Sequence, residues 1–560
     1  MLLSNGGLYM LRKWSTLKKS SFIEGTFIAT LAIVLVKIMG MLYVIPFYAI
    51  VGTTGAALYS YAYNIYNIFL DISTVGLPIA ISKITNEFYT LKMYDAKKRA
   101  YEIAIKIMRF ISVAIFIILF FFAYPIASFI IGDLTGGNTK EAITAVIRTV
   151  SLAILVIPYL SVAKGYLQGH NVINISSISN VLEQVVRILI IIVGSFLAIK
   201  VFHLSYVFGV MIALSGAFFG GLVSFFYVKH KMNKNKKELG LVEQKKKDKI
   251  TNKEITKKLA SYAIPYIIIN SVSSLYSFVD MILVLRGLEL MGFQTSEIEF
   301  ISSSISTWAG KINMIVISIA MGMTISLIPS IVHAYTLKKW NDVNNKINAS
   351  FKIITFVSLP MAIGLSVLSS EVWQVFYGAN EIGATILSVS VFVAVSLNFY
   401  MITSSIMQSL NKYKTVYIAT ICGLLSNAIL DIPLMYFLKF LGIKAYLGPL
   451  VSSIIGYLLS VFINLRTIKK EEKQINYKDS LKTIGKILVP SLVMLLTIWG
   501  LKMIIPFTAT SRLSAVLIII FYAIIGVLIY GGLSYKMGLL DEVLGENLLN
   551  KVTKKLKRQA

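Results

Sequence analysis

Nine ionisable side chains stand in stretches that are otherwise apolar: Lys37, Arg148, Arg187 and Lys311, with Glu24, Asp71, Glu183, Asp280 and Asp431. A charge at the centre of an apolar helix costs about 2.5–3.5 kcal/mol on insertion scales, so each should face a partner or a wet cavity. Lys37 sits midway along its stretch, far from either end. Lys311 lies deep enough in its own that only its stem could reach an interface. Glu183 and Arg187 are four residues apart, share a helix face and read as a structural ion pair. Asp71, Asp280 and Asp431 are cavity acids that can pair with Lys37 or Lys311, or take up Na⁺ or H⁺. Tyr59, Tyr63 and Tyr66 also share one face; they read either as an interfacial belt or as a platform for a sugar ring. Glu24 is at the edge of its stretch and Arg148 near the start of its own, where it can snorkel.

Other chemistries find no residues. Cys422 is the single cysteine, and the four histidines are at least 27 residues apart without metal-ligand spacing. No metal site is expected. A GxxxxGK[ST] phosphate loop is missing too, so no nucleotide is expected to drive the protein. With no cofactor, energy would come from the membrane potential, from a Na⁺ or H⁺ gradient, or from removal of product outside.

The elements that hold these residues follow from composition. Of 560 residues 56% are apolar and 14% charged, against about 45–50% and about 25% in soluble domains. Long charge-free runs such as Phe110–Gly132 and Leu513–Tyr535 must satisfy their own backbone groups in lipid, which makes them helices. Fourteen such spans, from 22–51 to 513–535, predict an all-α polytopic membrane protein. If the N-terminus is cytoplasmic, 43 Lys and Arg fall in cytoplasmic segments and 7 on the other side, the asymmetry that sets orientation. Both termini are then cytoplasmic. The +28 net charge is thereby explained without nucleic acid. Its densest stretch, 229–258, holds 12 basic and 4 acidic residues and lacks interleaved aromatics; it reads as a solvated linker able to touch anionic lipid.

An offset of 246 residues aligns Asn67 with Asn313, Gly76 with Gly322, Tyr89 with Tyr335, Tyr94 with Trp340 and Lys106 with Lys352. Six spans precede the basic linker and six follow it. The pattern predicts two six-helix lobes in a parallel pseudo-twofold repeat, a transporter architecture, with two helices left over. The segments are a cytoplasmic stretch 1–21, an N-lobe 22–228, the linker 229–258, a C-lobe 259–468, two helices in 469–535 and a basic cytoplasmic tail 536–560.

Several motifs resemble the multidrug/oligosaccharidyl-lipid/polysaccharide exporter superfamily, and within it the MurJ-like lipid II flippases and the stage V sporulation protein B group. They are Lys37-Ile-Met-Gly40 with Ile45-Pro46, Asp71-Ile-Ser-Thr-Val-Gly-Leu-Pro78, Gly165-Tyr-Leu-Gln-Gly-His170, Leu182-Glu-Gln-Val-Val-Arg187, and Ala309-Gly-Lys311 with Ile328-Pro329. The resemblance implies a flippase for an undecaprenyl-diphosphate-linked cell-wall precursor, lipid II first among them, in a bacterial plasma membrane. It implies that Lys37 and Lys311 meet the diphosphate and that the last two helices form a groove for the lipid tail. The Arg-Asp pair of the proteobacterial branch is replaced here by Tyr43-Val44, so headgroup recognition differs in detail. The alternatives are a Na⁺- or H⁺-coupled drug antiporter of the same superfamily, a flippase for another polysaccharide unit, and a membrane scaffold for wall-synthesis enzymes.

Overall fold

The computed structural model describes residues 32, 34–74, 76–242, 247–472 and 474–544. The expected 1–21 segment, Glu24 and most of the 536–560 tail lie outside the described residues. Within them every regular element is a helix, as apolar runs without external hydrogen-bond partners require.

Thirteen helical runs are long and apolar enough to cross a membrane. The first, Val34–Thr90, has 57 residues, or about 85 Å of helix at 1.5 Å per residue, far more than one crossing. Gly52 interrupts it with φ +70° and ψ −176°, a left-handed conformation that costs a residue without Cβ little. Several helices outrun the apolar stretches that predicted them. The run that begins at Lys140 continues through Gly169, past the end of its apolar stretch.

The chain forms two compact units. One contains residues through Phe278 together with Phe293–Ser303; the other contains Val279–Gly292 and the chain from Ser304. The division falls inside the Asn252–Leu290 helix. In the first unit the Phe293–Ser303 stretch is held by Glu299, buried, whose carboxylate accepts from the Asn138 backbone N–H at 2.9 Å and from Asn138 Nδ2 at 2.8 Å. Asn138 Nδ2 also reaches the Thr54 carbonyl, and Thr295 Oγ1 donates to the Thr135 carbonyl at 2.7 Å.

The sequence repeat returns as backbone geometry. In the first unit Lys92 has φ +57°, its N–H bonds to Tyr89 O, and the Met93 N–H bonds to Phe88 O. In the second unit Lys338 has φ +55°, its N–H bonds to Tyr335 O, and the Lys339 N–H bonds to Ala334 O. Both are Schellman helix ends, 246 residues apart. Each is flanked by an edge-to-face aromatic pair, Tyr89 with Tyr94 and Tyr335 with Trp340. Asn171 and Asn411 close two further helices in the same way.

The basic linker differs from its reading as a solvated segment. Leu239 is buried, and its carbonyl accepts from Lys97 Nζ at 3.0 Å and Tyr166 Oη at 2.7 Å. Leu239 and Ile255 belong to the first unit's core, against which Leu241 and Ile250 pack. Arg99 donates to the Ile250 and Asp248 carbonyls. Four apolar residues spaced through a charged segment anchor its ends.

Candidate functional site

In the first unit, the helices Ile157–Gly169 and Ile173–Leu189 are joined by three charges. Arg187 Nη2 lies 2.9 Å from one Glu183 oxygen, and Lys164 Nζ lies 3.0 Å from the other. Lys164 Nζ also donates to Asn180 Oδ1 at 2.7 Å. The three side chains are 12–21% exposed, neither sealed nor free in water. Lys164, which the sequence pattern did not single out, thus makes Glu183 the centre of a triad. Two cations on one carboxylate leave a net positive charge, and Arg187 Nε has no hydrogen-bond partner among the described residues.

The tyrosine face meets this triad. Tyr59, Tyr63 and Tyr66 all stand within electrostatic reach of the Arg187 guanidinium. Tyr59 stacks on Tyr63 with ring centroids 5.4 Å apart, and Tyr66 lies 6.4 Å beyond. Tyr59 and Tyr66 are buried, so these rings pack inside the unit instead of forming a belt at an interface.

The motifs that carry the family resemblance prove to be largely joints. A Cβ on Gly165 would strike the Pro78 carbonyl oxygen, and one on Gly169 would lie 2.6 Å from Ser82 O. The two glycines, one helical turn apart, let the Ile157–Gly169 and Gly76–Thr90 helices touch backbone to backbone, as small residues do in membrane interfaces. A Cβ on Gly76 would lie 2.6 Å from the Ala263 carbonyl. Nearby, Asp71 accepts from Ser274 Oγ at 2.5 Å, so that motif faces the Asn252–Leu290 helix through both residues. Lys37 lies, partly exposed, in the Val34–Thr90 run.

In the second unit Lys311 is buried, three residues beyond a π-helical turn, Ser304–Trp308. Tyr377 Oη donates to Trp308 O at 2.7 Å, and Asn313 Nδ2 to Ser390 O at 3.0 Å. Wider turns of this kind re-aim the side chains that follow and recur at functional sites.

Asp280 and Asp431 come together although they lie 151 positions apart in sequence. Asn427 Nδ2 lies 3.0 Å from Asp280 Oδ1, 3.2 Å from Asp431 Oδ1 and 3.1 Å from both Ser452 Oγ and Ser453 Oγ. Ser453 Oγ donates to Asp280 Oδ2 at 3.0 Å, and Ser452 Oγ donates to Asp431. All five residues are buried. One amide nitrogen has two protons for four oxygens. Asn427 Oδ1 and Asp431 Oδ2 are buried without partners among the described residues. Two buried carboxylates this close do not both stay ionised without a compensating positive charge. With the amide turned over, the set is oxygens from five residues, of three kinds, suited to a proton or a hard monovalent cation and not to a transition metal. Among the described residues no group of three or more His, Cys, Asp and Glu is placed to hold a metal ion. Sequence spacing held no sign of this pairing beyond the acids' presence in apolar spans.

Comparison with known proteins adds the following. Residues 22–290 match the family described as "Polysaccharide biosynthesis protein", and residues 303–432 match MatE. The lipid II flippase MurJ of Bacillus subtilis is 29% identical over 543 residues, covering 94% of this chain and 98% of that one. Stage V sporulation protein B of the same organism is 22% identical over 462 residues, covering 81% and 84%. Among solved structures, a lipid II flippase MurJ in an inward closed conformation shares the fold with TM-score 0.64 at 20% identity, covering 91% of this chain and 99% of that one. An inward-facing multidrug resistance MATE transporter gives TM-score 0.62 at 15% identity, covering 78% and 96%.

Proposed function

The chain belongs to the multidrug/oligosaccharidyl-lipid/polysaccharide exporter superfamily, and on that premise we propose that it flips an undecaprenyl-diphosphate-linked cell-wall precursor, lipid II, across the plasma membrane. The observation that carries this reading is the likeness to the Bacillus subtilis lipid II flippase along 94% of the chain. Its physical requirements are cations for a diphosphate and an apolar rest for a long tail. Lys37, Lys311 and the net-positive Lys164–Glu183–Arg187 triad supply the first. The second is supported by a groove of about 420 Å³ in the second unit, whose walls come from the Trp340–Val367, Lys478–Ile504 and Arg512–Lys536 helices. Pro360, Met361, Met494, Ile498 and Gly526 line it, offering a polyprenyl chain dispersion contacts and no polar competitor.

The membrane potential can drive the polar step. With both termini cytoplasmic, two negative charges moving outward across 100 mV release about 4.6 kcal/mol, at roughly 2.3 kcal/mol per charge. The Asp280–Asp431 cluster is the coupling site for a proton or Na⁺, whose exchange would reset the carrier. Flipping of a fluorescent lipid II analogue in vesicles tests the proposal: Lys37→Gln or Lys311→Gln should stop it. Undiminished flipping by both variants sinks the assignment of the cations.

The same cluster favours a second reading, a cation-coupled drug antiporter, which the MatE match supports. Depletion of the protein separates the two. A flippase leaves lipid-linked precursor accumulating on the cytoplasmic face, whereas an antiporter leaves precursor pools unchanged and drug sensitivity raised.

A further inference from the structure

A basic groove on the first unit lies apart from the charges discussed above. On the Tyr94–Phe121 helix, Lys98, Glu102, Lys106 and Arg109 recur at three- and four-residue steps and share a face. On the Tyr206–Lys234 helix, Leu222, Phe225, Phe226 and Lys229 do the same. Between these stripes, with Tyr159 and Lys236 in its lining, runs an open cavity of about 940 Å³.

Charge and greasiness are ordered along this groove. Five cations line it, Lys98, Lys106, Arg109, Lys229 and Lys236, against one carboxylate, Glu102. Lys98 lies 3.7 Å from Glu102, which leaves four positive charges without a carboxylate in the lining. Lys229 Nζ sits 5.6 Å from the Phe225 ring centre, its stem laid on the aromatic wall as snorkelling lysines do. Beyond Arg109 the same helix exposes Phe110, Val113 and Ile117, and the other exposes Phe226, Val223 and Phe219. The basic ends of both helices line the cavity, and exposed apolar side chains continue along each helix beyond it.

We infer that this groove is a binding site for one anionic phospholipid, its phosphate held by Lys106, Arg109 and Lys229 and its acyl chains laid along the Phe110 and Phe226 faces. A free phosphate would leave the apolar faces unused. A zwitterionic lipid would leave four cations uncompensated. Basic pockets between membrane helices recognise anionic headgroups through this combination. The occupant would brace the Tyr94–Phe121 and Tyr206–Lys234 helices from outside, independently of what the protein transports.

The test uses the full chain, delipidated in detergent, with bound lipid counted by native mass spectrometry. Phosphatidylglycerol should bind on the order of a hundredfold more tightly than phosphatidylcholine, given three cations at a headgroup. Raising NaCl from low to high should shrink that preference on the wild-type protein, because the lining charges are screened. The Lys106→Gln/Arg109→Gln/Lys229→Gln variant should lose the preference while eluting as the wild type does; Phe226→Ala should weaken both lipids alike. Equal binding of the two lipids, a preference that ignores salt, or displacement of phosphatidylglycerol by inorganic phosphate alone would overturn the assignment. If the triple variant does not fold, the salt series and the Phe226→Ala variant decide.

Discussion

Replacing Glu183 should harm the protein more than replacing either of its partners. Glu183 receives charge-assisted bonds from Arg187 at 2.9 Å and Lys164 at 3.0 Å. Each such bond is worth about 1.5–3 kcal/mol when buried, and exposures of 12–21% argue for the lower end. Glu183→Gln therefore removes both bonds and leaves two partly buried cations facing each other, a loss of about 3 kcal/mol or more. Lys164→Gln or Arg187→Gln removes one bond and leaves a neutral pair, a loss of about 1–2 kcal/mol. A charge swap sharpens the test. For an isolated pair, exchanging Glu183 and Arg187 would restore stability. Here the exchange sets Arg at 183 against Lys164, so the swapped protein should stay as weak as Glu183→Gln until Lys164→Gln is added. The assay is the fraction surviving as a monodisperse peak after heating in detergent, ranked across the five variants. A swap that recovers with Lys164 intact, or a Glu183→Gln no weaker than Lys164→Gln, refutes the triad as the unit.

Other outcomes follow from the same geometry. Arg at position 37 or 311 should retain part of the flipping that Gln abolishes, with expression unchanged, because charge is kept while the compact ammonium is lost. Asp280→Asn and Asp431→Asn should each remove any Na⁺ or pH dependence of transport in vesicles, since a single buried carboxylate no longer needs the shared cation; dependence that survives both excludes this cluster as the coupling site. Gly165→Leu should prevent accumulation of folded protein, because its Cβ alone meets the Pro78 backbone oxygen, whereas Gly485→Ala, with open space around it, should be tolerated. Glu542, in the short Leu539–Leu544 helix outside the membrane, is pushed up by burial but more strongly held down by Lys486 and Thr483, so its pKa lies below the ordinary glutamate value. A depressed pKa contributes stability that is present above the unfolded value of about 4.3 and is lost as pH falls through the folded one. Hydrogen exchange in 539–544 should accelerate only in that acid range, and Lys486→Gln should move the onset upward.

Much of the architecture was legible because lipid enforces a simple rule: long apolar runs become helices. What the hydropathy of a run does not mark is where its helix stops. Lys164 stands at the end of its apolar stretch, where nothing in the sequence shows that the helix continues to Gly169 and brings it to Glu183. Helical spacing likewise put Tyr59, Tyr63 and Tyr66 on one face without saying what that face meets; Arg187 comes from a different helix. Asp280 and Asp431 were recognisable singly, since charge in a span is expensive, but their pairing depends on packing between helices far apart in sequence. Of the motifs that carry the resemblance, Leu182 to Arg187 supplies Glu183 and Arg187, whereas Gly165 to His170 carries no reactive group that the site uses. Its signal comes from backbone contact, which leaves small residues as its trace.

The Phe293–Ser303 stretch has a consequence for biosynthesis. A ribosome delivers Asn138 long before Glu299, with 160 residues between them, including the linker and the whole Asn252–Leu290 helix. Until that late peptide emerges, the Asn138 amide groups lack their carboxylate and the first unit is an unfinished bundle inserted in the bilayer. Its completion is therefore timed by translation beyond the Asn252–Leu290 helix. A chain broken between 278 and 293 and supplied as two pieces would be reassembled by this eleven-residue stretch, carried into the first unit by the piece that builds the second.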